Sequence, residues 1–86
     1  MVKRFIIKVV SGEKFAYLRA HTKSICFTMA IDDARLYKGE GLAKESVRLS
    51  KETMKPIAKR FLDLNYCDPI TFEFIPVRVE VYAESL

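Results

Sequence analysis

The sequence predicts an α+β domain: an antiparallel sheet of about four strands, in the chain order β-β-β-α-β, packed on one long helix that is kinked or split at Pro56. Three observations predict it. Residues 2 to 29 hold three short runs of β-forming residues separated by polar turns. Residues 41 to 65 carry apolar side chains at helical spacing. Residues 70 to 83 return to alternation.

The first strand runs from Val2 to Val10 and is dominated by Phe5, Ile6, Ile7, Val9 and Val10. Phe5, Ile7 and Val9 share one face, and Arg4 and Lys8 share the other. Ile6 and Val10 add apolar surface to that second face, which predicts partial cover there as well. Ser11-Gly12-Glu13-Lys14 is a turn, with Gly12 free to adopt positive φ. Phe15 to His21 completes a hairpin, His21 to Ser24 turns the chain, and Ile25 to Met29 forms the third strand. A meander of this kind needs a cover on one face.

Asp32 and Asp33 are expected to cap a helical turn that tucks Leu36 and Tyr37 inward. The glycines of Lys38-Gly39-Glu40-Gly41 supply backbone freedom before the main helix. They do not form a phosphate loop, because GEGLAK lacks the third glycine of the dinucleotide fingerprint and any GK[ST].

On a wheel of about 100° per residue, Ala43, Val47, Met54, Ile57, Ala58 and Phe61 fall in one stripe, with Ser50 inside it. The stripe keeps phase across Pro56, which favours a single kinked helix. A break near Thr53 to Lys55, with Ser50 or Thr53 as a new cap, is the competing reading. Lys44, Arg48, Lys51, Lys55 and Lys59 fall in a second sector, read as the solvent face opposite the stripe. Residues 44 to 60 hold six basic and two acidic side chains, a net +4, which equals the formal charge of the whole chain. Asn65 to Pro69 ends the helix as a turn. In the last strand, Ile70, Phe72 and Phe74 share one parity and Val77, Val79 and Val81 the other. A β-bulge at Ile75-Pro76, with Pro76 on an edge or unpaired position, or two strands meeting there, would reconcile them. The AESL tail is expected to fray.

Eighty-six residues, 50% apolar and 30% charged, suit one folded domain rather than a disordered chain. The apolar runs are too short to span a membrane, and Lys8 inside the first of them argues against a secretory leader. A cytoplasmic location follows, which is the host cytoplasm if the gene is mobile. Cys26 and Cys67 read as ordinary thiols, since no C-x-x-C or neighbouring histidine offers a zinc site. His21 has no partner motif, and no nucleophile elbow or metalloprotease motif occurs. The reading is therefore non-enzymatic, with no cofactor or metal. The basic row Lys44, Arg48, Lys51, Lys55 and Lys59 is the candidate contact for nucleic acid or an acidic partner. The edge of the final strand and the Ile6–Val10 face are the candidates for protein binding or self-association.

Residues Thr28 to Glu52, TMAIDDARLYKGEGLAKESVRLSKE, resemble small uncharacterised proteins of phages and prophages in low-GC Gram-positive bacteria. Those run hairpin, D-x-A-x-x-[YF] turn, then helix; Asp32, Ala34 and Tyr37 fit the turn. The long final strand and Pro56 lie outside the pattern. The resemblance implies an accessory or regulatory role through a host or phage protein, in a monomer or small oligomer, and carries over no catalytic residue.

Overall fold

A computed structural model describes residues 2–20 and 23–80. Its strands are β1 (Val2–Ser11), β2 (Lys14–Leu18), β3 (Phe27–Thr28) and β4 (Thr71–Val79). A single turn of 3-10 helix (Ile31–Asp33) and the helix α1 (Glu40–Phe61) lie between β3 and β4. The sheet is antiparallel in the order β3-β2-β1-β4, with α1 on one face, so the expected α+β architecture is observed. His21, Thr22 and the expected strand end and tail at 81–86 lie outside the described residues.

Alternation along β1 decides what α1 covers. Ile7 and Val9 are fully buried beneath the helix, flanked by Phe74 and Phe72 of β4 and by Ala16 and Leu18 of β2. From α1 come Ala43, Val47, Met54 and Ala58, all buried. Ala43 and Ala58 carry no atom beyond Cβ, which lets the helix lie close on the strands. Phe61 departs from expectation: it is 44% exposed and leans its ring on Phe27 at 6.3 Å. Leu62, one residue on, fills the core in its place.

The helix runs unbroken through Pro56. On the wheel Pro56 lies about 190° from the mean of the buried set, so it faces water. Glu52, whose carbonyl loses its partner there, and Pro56 itself are both exposed. At the far end, Asp63 takes φ 56° while Leu64 N–H donates to the Lys59 carbonyl and Asp63 N–H to that of Arg60. This pair of bonds is a Schellman stop, with aspartate where glycine is commonest. Lys14 reaches across from the hairpin and donates to the Leu62 and Asp63 carbonyls at 3.1 and 3.2 Å. Its charge complements the negative end of the helix dipole.

Several local readings are corrected. No bulge interrupts β4, because its pairing with β1 is continuous from Val2↔Val79 to Val10↔Thr71, through Phe5↔Pro76. The change of apolar parity is real but needs no slip. Phe72 and Phe74 face the helix, while Ile75, Val77 and Val79 pair with Ile6, Arg4 and Val2 on the outer face. Asp32 and Asp33 do not cap; they sit within the 3-10 turn, whose cap position is Ala30. Leu36 is 47% exposed, whereas Tyr37 tucks in as expected and shares a hydrogen bond with Ser46. Gly39 has ordinary extended angles, and Gly12 (φ 61°) is the glycine whose backbone freedom is used, at the first position of a two-residue hairpin.

The segment after the 3-10 turn has a role not read from sequence. Arg35 N–H donates to the Leu18 carbonyl and Ala20 N–H to that of Asp33, while Tyr37 and Phe5 exchange two 2.8 Å bonds. The segment thus fills the gap where β1 and β2 diverge. Ala34 and Leu36 of this segment, with Ile31 of the turn, share a hollow with Ile6, which is 1% exposed, so the outer face is partly covered as expected.

Two substitutions test this packing by urea denaturation. Met54→Ala should cost about 2–4 kcal/mol, because Met54 is sealed between helix and sheet. Pro56→Ala should stabilise by about 1–3 kcal/mol, because it restores a helix hydrogen bond on a solvated face.

Candidate interaction edge

The basic row lies along a flank of α1. On the wheel its mean direction is about 90° from that of Ala43, Val47, Met54 and Ala58. The face opposite the seam instead carries Glu45, Glu52, Leu49 and Pro56, with Leu49 70% exposed. The sequence-based placement of the row is corrected accordingly, because a sector of this width beside a buried stripe can border the sheet. Lys44, Arg48 and Lys51 are exposed; Lys55 and Lys59 are half-buried.

Two contacts fix which strand the row follows. Near the N-terminal end, the Lys44 ammonium stands 5.9 Å from the centre of the Phe74 ring of β4. Near the C-terminal end, Lys59 donates to the Tyr66 carbonyl at 2.6 Å and lies 5.4 Å from its ring, on the loop that leads into β4. The row therefore runs alongside β4 and antiparallel to it. The intervening cations differ in their engagement. Arg48 forms a bidentate pair with Glu45, whose carboxyl is held below its usual value by that hydrogen bond. Lys44 also pairs with Glu40 at 3.6 Å. Lys51 and Lys55 form no ion pair among the described residues.

β4 is an edge strand, and its outward backbone groups can be deduced. Phe5 directs both its N–H and its carbonyl to Tyr37, away from β4. Its partner Pro76 therefore sits at a non-hydrogen-bonded position, and so do Phe72, Phe74 and Arg78 by alternation. Those four residues point their backbone groups outward. Among the described residues, no segment bonds to them there. Pro76 lacks an N–H, so it interrupts the donor row at no cost to the sheet. The uninterrupted part of the edge is Thr71–Ile75, the part that Lys44 overhangs at Phe74.

Sequence reasoning found the row and the edge but did not join them. It also missed Phe74 and Tyr66, which is 94% exposed, as ring neighbours of the lysines. No sequence signal reports that proximity, because it depends on how α1 is rotated over the sheet. No protein-family model, curated protein or solved structure matches the chain. Among the described residues, no helix is long and apolar enough to cross a membrane.

The Lys44–Phe74 contact has a spectroscopic signature. The ε-methylene protons of Lys44 should be shifted upfield by the ring current, and Phe74→Leu should return them to ordinary values in a proton–carbon correlation spectrum.

Proposed function

We propose that this protein is a small, non-enzymatic interaction module that takes up an extended acidic segment of another protein as a fifth strand on β4. The observation that carries this reading is the Thr71–Ile75 edge, to which no other described strand pairs, beside a flank of cations. A segment pairing there would make main-chain bonds to Phe72 and Phe74. Alternate side chains would then meet different surroundings. Those on the helix side would face Lys51 and Lys55, which favours carboxylates. Those on the outer side would continue the surface of Ile75 and Val77, which favours apolar residues. The similarity of Thr28–Glu52 to phage accessory proteins suggests a host or phage protein as the carrier of that segment.

Nucleic-acid binding by the same five residues is the alternative. Lys44 and Arg48 are already paired with carboxylates, and Lys59 is engaged with Tyr66. Phosphates would therefore have to displace existing partners along most of the row, which favours the peptide. A short peptide alternating Glu and Val, its Lys-for-Glu counterpart and a duplex oligonucleotide separate the two. The acidic peptide should perturb the Phe72 and Phe74 amides in nitrogen–proton spectra, and Lys51→Glu/Lys55→Glu should weaken it at least about tenfold. Binding of the oligonucleotide with a log–log salt slope near −4, lost in the same variant, would establish the alternative instead.

A further inference from the structure

The flank of α1 away from β4 borders a cleft of about 410 Å³. That volume falls in the range of small-molecule sites. Its floor is apolar: Leu18 and Met54 are buried, and Ile25 and Ile57 are half-buried. Its helix wall presents the hydroxyls of Ser50 and Thr53, neither of which bonds to a described residue. Its rim carries Arg19, Lys23 and Arg35, and among the described residues no carboxylate lines it. Asp32 and Asp33 line the neighbouring hollow on the far side of the two arginines, so the cleft is the cationic side of that ridge. Among the described residues none of the three cations is in an ion pair.

We propose that this cleft binds a small organic anion with an apolar body, its charged head held by Lys23 and Arg35 and its body laid on Ile25, Met54 and Ile57. The physical reasons are separate for each part. Covering the apolar floor releases water from it and so rewards apolar surface. Guanidinium and ammonium groups at the rim meet a carboxylate, phosphate or sulfonate with charge-assisted bonds. The hydroxyls offer both donors and acceptors, which orients the head without selecting among these anions. The site is on the other flank of α1 from the β4 edge and does not depend on the peptide reading.

Two fluorescent probes with the same aromatic body test it: 8-anilinonaphthalene-1-sulfonate and uncharged N-phenyl-1-naphthylamine. The sulfonate should bind at least about tenfold more tightly, as expected for a charge-assisted contact. It should shift the amide signals of Ile25, Ser50, Thr53 and Ile57. Lys23→Gln/Arg35→Gln should remove the margin while leaving the neutral probe's affinity unchanged, and the acidic peptide should not compete. Equal affinity for the two probes, no binding, or shifts confined to the hollow around Ile6, Val77 and Val79 would overturn the proposal.

Discussion

Burial of the Ile7–Val9 strip beneath Ala43, Val47, Met54 and Ala58 is the constraint on which the rest of the structure depends. Among the described residues α1 is the one long helix, and the sheet face of Ile7 and Val9 is the one it covers. The small side chains at Ala43 and Ala58 bring the helix down onto the two central positions of β1. Phe72 and Phe74 close the seam on one side, and Leu18 and Phe27 on the other. A modest core of this kind gains stability from precise fit, because the side chains between helix and sheet touch both layers.

Rotation of α1 follows from that contact, and the chemistry of its flanks follows from the rotation. With the seam down, the side at Lys44, Lys51 and Lys55 borders β4, and the side at Ser46, Ser50 and Thr53 borders Leu18 and Ile25. The two flanks differ in kind. One sets cations beside the outer edge of β4, and the other closes an apolar-floored cleft with hydroxyls and a cationic rim. Pro56 fits the same geometry, because the seam leaves it on the solvated side where a missing hydrogen bond costs least.

How much of the candidate site was legible is best judged residue by residue. Lys44, Arg48, Lys51, Lys55 and Lys59 were grouped correctly by helical arithmetic, since spacing alone puts them in one sector. Their position relative to the sheet was misread, because the wheel gives angles about the axis and not the direction of the neighbouring strand. The edge character of the last strand was legible through Pro76, which removes a donor that an interior strand requires. The apparent bulge was not a sound inference. A strand that is apolar on both faces carries no parity signal from which to infer a slip, and both faces of β4 are partly covered.

The sequence by itself determined the element order, the seam along α1, the hairpin at Gly12 and the concentration of positive charge on one helix, because each is set by spacing or by the conformational range of one residue. Tertiary structure alone decided that residues 34–37 wedge between β1 and β2, that Lys14 caps the distant end of α1, and that Lys44 lies over Phe74. Those contacts join residues far apart in the chain. They arise from the way two amphipathic layers settle on each other, and local propensity is blind to that arrangement.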